Sequence, residues 1–423
     1  MPIDLLSHWR PAVEPWHDPD QYWSAFDAAT RAMPAPVVAL SLAALARNAL
    51  DLTRRAGGLP IRVASKSVRS RGVLAAVLAL PGYQGVLAYT LAEALWLAAD
   101  DDAAPQLGGI TDVVVGYPTA DRAALTRLAL NPMLASRVTV MIDSPEQLDL
   151  IDAVASPQHR EHIRVCIDLD ASWRAPGLGH IGVRRSPVHD ATQAEWLARH
   201  ISGRPGFRLV GVMAYEAQIA GVADRPAGRP ATGAMLRAIQ RASSSELVER
   251  RAAAIALVRG EADLEFVNGG GTGSLERTSQ EPSITEVAAG SGLYGPHLFD
   301  HYTGFDVAPA VAFGLDVVRK PTPDRVTVLG GGWIASGPAA ADRSPQPVWP
   351  TGLHYEAREG AGEVQTPLRG DAARAMSVGD RVWLRHAKAG EVMEHTTELV
   401  PIDGEGRALA PLATYRGEGK CFL

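Results

Sequence analysis

The sequence predicts a (β/α)8 barrel followed by a second, β-rich domain, and three observations carry that reading. From residue 61 onward, short β-branched runs alternate with helical patterns, which is the rhythm of βα units and a parallel sheet. Eight such runs fall before residue 302, over the span that an eight-stranded barrel needs. After residue 302 the texture changes: no long amphipathic helix is evident, and the runs 325–329 and 381–384 read as strands. An open doubly wound sheet is the alternative, because strand ends read from sequence shift by several residues.

Taken in order, the first 35 residues hold Trp9, Trp16 and Trp23 but no barrel strand, so residues 1–35 are expected to pack on the second domain or on a partner subunit. The barrel is expected over 36–302. Its strands fall at 61–65, 85–88, 112–116, 138–142, 163–169, 209–214, 264–267 and 286–289. Between them, 68–80, 91–99, 120–130, 145–154, 191–201, 233–258 and 273–277 are compatible with helix. Pro118-Thr119 and Asp143-Ser144-Pro145 supply start signals for the third and fourth helices. The second domain is expected over 303–423, with 336–351, heavy in Pro and Ala, as a loop and Val378-Gly379-Asp380 as a turn. No solenoid repeat is present.

Composition narrows the class. A chain of 423 residues, 46% hydrophobic and 21% charged, can bury a core for one large domain and a smaller one. A formal charge of −6 with no basic block argues against nucleic acid as a partner. Cys166 and Cys421 stand at no metal-knuckle spacing, so neither a disulfide framework nor a zinc finger is indicated and a reducing cytoplasm fits. Residues 1–17 lack the basic and continuous apolar regions of a signal peptide, and the apolar stretch 85–99 contains Glu93 and is too short to span a bilayer. No export and no membrane contact are expected.

The chemistry begins at Lys66. Only four lysines (Lys66, Lys320, Lys388, Lys420) stand against 37 arginines, and Lys66 ends the strand-like run Ile61-Arg62-Val63-Ala64-Ser65. Arginine keeps its charge and cannot attack a carbonyl, whereas a desolvated lysine can lose its proton and form a Schiff base. A single strand-end lysine is more commonly a snorkelling surface group. Its place here, at the C-terminal end of the first barrel strand, is the face where barrel active sites lie. The loop after the seventh strand reads Asn268-Gly269-Gly270-Gly271-Thr272-Gly273-Ser274, and that after the eighth Gly290-Ser291-Gly292-Leu293-Tyr294. One glycine-rich turn is usually only a turn. Two of them after the last two strands, where barrels bind phosphate, offer backbone N–H groups to an anion opposite the lysine. An amine and a phosphate cradle on one face fit pyridoxal 5'-phosphate.

The segments Val63-Ala64-Ser65-Lys66-Ser67, Val212-Met213-Ala214-Tyr215-Glu216 and Gly270-Gly271-Thr272-Gly273 resemble those of fold-type III pyridoxal-phosphate enzymes. These are the alanine racemase-like barrels, and within them the chain resembles the D-threonine aldolase and D-serine dehydratase group over nearly its whole length. The stretch Gly179-His180-Ile181-Gly182-Val183-Arg184-Arg185-Ser186-Pro187 and Arg416-Gly417-Glu418-Gly419-Lys420 further resemble bacterial proteins described as amino acid deaminase/aldolase. The resemblance implies that Lys66 carries the cofactor and that Gly270, Gly271, Thr272, Gly273, Ser291, Gly292 and Tyr294 hold its phosphate. His180 stands where many relatives have an arginine, either facing the cofactor or satisfied within its loop. Tyr215 is a ring or phosphate contact, or else a core tyrosine with its hydroxyl at the rim. Metal-dependent relatives carry a His-x-Cys or His-x-Asp pair in the second domain. Here His386 is present and Lys388 takes the second place, where a charged ammonium is no metal ligand, so a divalent metal is not expected. Lys388 then either supplies the metal's charge or proton, or is an exposed loop lysine. His354 and residues 363–367 match cleft-lining positions, while His159 and His200 read as surface groups.

The implied activity is that of a lyase on a β-hydroxy amino acid of D configuration, by aldol cleavage with His386 as base or by dehydration with Lys388 as acid. Racemisation is the alternative, although no second acid/base can be aligned; a non-catalytic pyridoxal-phosphate carrier is another, against which the large second domain counts. The resemblance also implies a homodimer whose site lies between one barrel and the other subunit's β domain.

Overall fold

The computed structural model describes residues 3–9, 14–101, 104–105 and 107–423. Strand β1 (Val37–Ser41) comes first in the chain, followed by β2 (Ile61–Ala64), β3 (Tyr83–Ala88), β4 (Val113–Val115), β5 (Val138–Ile142) and β6 (Ile163–Asp168). A short antiparallel hairpin, β7 (Trp173–Ala175) and β8 (Gly179–Ile181), precedes β9 (Phe207–Ala214), β10 (Phe266–Gly269) and β11 (Glu286–Ala289). Strands β2 to β6 and β9 to β11 run parallel and close on themselves, with β11 paired to β2. All eight expected barrel strands are therefore present in the expected order. Helices Arg71–Leu78, Leu91–Ala98, Arg122–Ala129, Pro145–Val154, Ala191–Ser202, Pro230–Glu261 and Leu275–Thr278 lie between them, and Leu42–Arg55 precedes β2. Pro132–Arg137, between β4 and β5, is a helix that the sequence pattern did not reveal.

Alternation along each strand sorts two layers. Ala64, Leu87, Val114, Met141, Cys166, Met213, Phe266 and Ala288 form one cluster inside the barrel. Their neighbours Val63, Val86, Val113, Val140, Val165, Val212, Val267 and Val287 pack in the larger core under the helices. Strands buried on both faces read as continuous apolar runs, which is why they are visible in the sequence. Gly211 lies beneath the Phe266 ring, which a Cβ there would strike, so the glycine makes room for the ring that fills the barrel. One layer lower, Arg62, 2% exposed, binds Glu286 at 2.7 and 2.8 Å and Asp112 at 2.9 Å twice. Removing one partner from such a buried pair costs about 3–5 kcal/mol, because the other charge is left uncompensated.

Beyond the barrel come β12 (Val311–Thr322), β13 (Arg325–Leu329), β14 (Gln346–Trp349), β15 (His354–Tyr355), β16 (Gln365–Arg369), β17 (Arg381–Arg385), β18 (Glu398–Ile402) and β19 (Leu412–Ala413). With β1 they form a nine-stranded sheet, the expected β-rich second domain. Two features depart from the sequence reading. Residues 336–351, read as a loop, contain β14, which pairs with β17 although Pro347 gives up a backbone donor. Strand β1, within the stretch assigned to the barrel, lies instead between β12 and β18. Its Val37-Val38-Ala39-Leu40 run is buried on both faces and carries no local mark of which sheet it joins. The N-terminal helix Pro19–Thr30 also lies on this sheet: Phe26 meets Trp383 edge-on at 5.4 Å, and Arg381 donates to the Thr30 and Met33 carbonyls at 2.9 and 2.8 Å. Among the described residues no helix is long and apolar enough to cross a membrane.

Candidate active site

Arg62 and Ala64 lie on the inward face of β2, and Lys66 follows in the 3-10 turn Ser65–Ser67 at the C-terminal end of that strand, on the barrel mouth. The turn that carries it is fixed from several sides. Ser65 Oγ donates to the Leu87 carbonyl at 3.1 Å, and Tyr294 Oη donates to the Val68 carbonyl at 2.9 Å. Arg69, held in the left-handed region at φ 50°, donates to the Lys66 carbonyl at 2.9 Å and pairs with Glu394 of the second domain at 2.6 Å. Gly390 presses on that same carbonyl so closely that a Cβ would collide with it. The Lys66 amine itself is exposed to the cleft and donates to Tyr117 Oη at 2.9 Å.

Around that pair stand Arg185, 5.8 Å above the Tyr117 ring, and Asp168 at the end of β6. Burial alone would push the Tyr117 phenol up, but Lys66 and then Arg185 bring it below its ordinary value. Burial and the neighbouring Asp143 push the Asp168 carboxyl up to about 7, and burial raises Asp143 as well. Tyr215, after β9, is within electrostatic reach of Tyr117 and Arg185 and is pushed up to about 12 by burial and by Glu216.

The glycine-rich loops leave β10 and β11, and β11 pairs with β2, so three neighbouring strands deliver Lys66 and both loops to one rim. Thr272 Oγ1 ties the loops together, accepting from Gly292 N–H at 3.1 Å and Ser291 Oγ at 3.3 Å. Gly271 and Gly273 are packed against Tyr215 and Ala220, where side chains would clash. Gly271 N–H is used by Ser274 Oγ and Gly270 N–H by Glu216, so these two glycines shape the loop. Among the described residues the N–H groups of Thr272, Gly273 and Ser291 have no protein acceptor. Three free donors on two joined loops, facing a strand-end amine, fit a phosphorylated aldehyde such as pyridoxal phosphate.

The second domain forms the opposite wall. Lys388 Nζ donates to the Ser336 carbonyl at 2.6 Å; burial first, and then Arg343 and Lys66, hold its proton more loosely than usual. His386 is 3% exposed, bonds the Val311 carbonyl through Nδ1 at 3.1 Å and leaves Nε2 buried without a partner. Burial pushes that imidazole down to about 3. It is a neutral ring and a weak base near neutrality. A bare Nε2 could ligate a metal, but Lys388, in the second ligand's place and bonded to the Ser336 carbonyl, offers it no second ligand. The donor set therefore fits pyridoxal phosphate and does not fit a metal.

The other sequence candidates are dispersed. His180 sits on the β7–β8 hairpin and bonds the Val183 carbonyl of its own loop at 3.0 Å; Arg185 of that loop is the side chain that reaches Tyr117. Tyr294 is fully buried, with its hydroxyl committed beneath the Lys66 turn. His354 starts the edge strand β15, and 365–367 lie in β16. Tyr117, Asp168 and Arg185 were missed as site residues, although the inward alternation Arg164, Cys166, Asp168 was available to find one of them.

A closed barrel, a β domain laid against its rim and a lysine between them define a class of two-domain barrel proteins with a cleft lined from both sides. Residues 40–297 match the model for the alanine racemase, N-terminal domain family, and the chain belongs to that family. A 3-hydroxy-D-aspartate aldolase from Paracoccus denitrificans is 28% identical over 259 residues, which is 60% of this chain and 59% of that protein. The chain spans about 59% of the length of the curated relatives it matches. Among solved structures, D-threonine aldolase from Filomicrobium marinum superposes with a TM-score of 0.74 at 19% identity, covering 93% of this chain and 97% of that one. D-threo-3-hydroxyaspartate dehydratase from Delftia sp. HT23 gives 0.65 at 18% identity, covering 91% and 98%. These two likenesses are of fold.

Proposed function

We propose that the protein is a pyridoxal-phosphate-dependent lyase acting on a β-hydroxy amino acid of D configuration, and that it removes the β-hydroxyl. The observation that carries this reading is Lys66 and Lys388 on opposite walls of one cleft, close enough to sense each other's charge. The relatives named as acting on hydroxy-D-amino acids support the substrate class. Bound pyridoxal phosphate supplies an electron sink at the substrate's α-carbon. The chain supplies position and protons. Thr272, Gly273 and Ser291 would hold the phosphate through backbone N–H groups and Lys66 Nζ the aldehyde. Lys66 Nζ then stands as the amine that takes the α-proton, and Lys388 Nζ as the acid that protonates the departing hydroxyl as water. Aldol cleavage would instead need a base at that hydroxyl, and His386, fully buried and pushed down to about 3, is poorly suited to it.

Incubation with D-threo-3-hydroxyaspartate and D-threonine tests this directly. A 2-oxo acid with ammonia is expected; glycine with an aldehyde would replace dehydration by aldol cleavage. Substitution of Lys66→Ala is expected to abolish turnover and the absorbance band of lysine-bound cofactor, and retention of both would overturn the reading. Dialysis against a chelator is expected to leave turnover unchanged; a loss restored by Mn2+ would assign His386 a metal. We further propose a cytoplasmic homodimer: free Cys166 and Cys421 suit a reducing compartment, and exposed Leu329 at the end of β13 and Val364 just before β16 suit a partner contact.

A further inference from the structure

Tyr117 is not needed by the reading above, yet it holds the reacting amine. Among the described residues its hydroxyl is the one hydrogen-bond acceptor that Lys66 Nζ reaches. The phenol is placed by the turn after β4, where Gly116 N–H bonds the Ala88 carbonyl at 2.8 Å and Pro118 follows. Facing it are Lys66 from the turn after β2, Arg185 from the loop after β8, Asp168 from the end of β6 and Tyr215 from the turn after β9. That is two cations against one carboxyl, itself pushed up to about 7, and one neutral phenol pushed up to about 12. An oxygen so surrounded and 2.9 Å from an amine can hold or give the amine's proton.

Resting on the reading that Lys66 takes an aldehyde, we propose that Tyr117 is a catalytic residue of that capture, the proton partner of Lys66. Its phenolate oxygen removes one proton from the Lys66 ammonium, so that the neutral amine attacks the aldehyde carbon. Its hydroxyl then serves as the acid that lets the aldehyde oxygen depart. A C=N double bond forms in place of the C=O double bond. The oxygen leaves as water with two of the three ammonium protons, the third remains on Tyr117, and nothing is oxidised or reduced. Arg185 acts through Tyr117 as a positioning residue, by favouring the phenolate.

Two measurements on the full-length apoprotein test this. The first follows labelling of Lys66 by fluorodinitrobenzene against pH, read by mass spectrometry with Lys420 as internal reference. Two groups sharing one proton titrate as a pair, so a two-step profile is expected for the unsubstituted protein and a one-step profile for Tyr117→Phe. Arg185→Gln is expected to keep both steps and move the first to higher pH. The second follows uptake of pyridoxal phosphate, trapped by borohydride on Lys66. Tyr117→Phe is expected to slow it on the order of 10²-fold at neutral pH. One-step profiles in both proteins, or uptake at an unchanged rate in a Tyr117→Phe variant with native circular dichroism, would overturn the proposal. No uptake by the unsubstituted protein would instead overturn the cofactor reading, while the labelling profile would still decide whether Tyr117 shares the proton.

Discussion

Burial, Arg343 and Lys66 loosen the proton on Lys388, and the Ser336 carbonyl fixes where that proton points. A residue acting as the acid for a departing hydroxyl should therefore be separable from cofactor binding. Lys388→Gln is expected to lower 2-oxo acid formation on the order of 10²-fold or more while leaving the cofactor absorbance of Lys66 intact; an unchanged rate would remove Lys388 from the chemistry. At this scale the legible part of the site was the part that obeys strand alternation. Arg62 and Ala64 share the inward face of β2, Thr139 and Met141 that of β5, and Gly211 and Met213 that of β9, while Lys66, Asp143 and Tyr215 follow in the turns at the C-terminal ends of those strands. Extending each inward series by two residues reaches the mouth. Tyr117 escapes the rule because the chain turns at Gly116, so the phenol arrives by loop geometry and not by parity. The resemblance leaves His180 either facing the cofactor or satisfied within its loop, and its ring bonds the Val183 carbonyl of that loop.

Glu93 shows how an element is anchored at its end. It lies on the helix Leu91–Ala98, is fully buried, and accepts from Tyr89 N–H at 2.7 Å and from Tyr415 Oη at 2.8 Å. Tyr415 N–H in turn bonds the Arg69 carbonyl at 2.9 Å, and Glu418 pairs with Arg71, so the C-terminal segment braces the turn that carries Lys66. Burial pushes the Glu93 carboxyl up from 4.5 to about 7. The folded protein thus binds a proton that the unfolded chain has lost between those values. The associated stability is present below about pH 4.5 and is lost as pH rises through about 7, on the order of 3 kcal/mol in all. Glu93→Gln is expected to flatten that fall, measured by urea unfolding at pH 5 and pH 8; equal slopes in the two proteins would assign the pH dependence elsewhere. Elements of this kind were only partly legible. The barrel strands showed as apolar runs, whereas β12 and β14 did not: β12 ends in the polar, largely exposed run Arg319-Lys320-Pro321-Thr322, and β14 carries a proline.

For the whole molecule, the governing fact is the path of the chain. It enters the second sheet as β1, leaves to build the entire barrel, and returns to lay β12 and β18 on either side of that first strand. A strand in mid-sheet satisfies its neighbours' backbone groups on both edges, and its removal exposes two apolar edges at once. The N-terminal helix adds Tyr22 Oη on the Pro309 carbonyl at 2.8 Å and the Phe26 contact with Trp383. The β-rich domain is therefore contiguous in space but not in sequence, and the sequence texture that marks its start near residue 303 marks only its larger part. A fragment of residues 303–423 is expected to be unfolded or aggregated by circular dichroism and size-exclusion chromatography. The same fragment preceded by residues 14–41 through a flexible linker is expected to regain β-sheet signal and a cooperative unfolding transition, because β1 and its helix are restored. A fragment of 303–423 that folds cooperatively alone would show that β12 and β18 can close without β1. The two walls of the cleft would then be independent bodies, not one continuous chain wound through both.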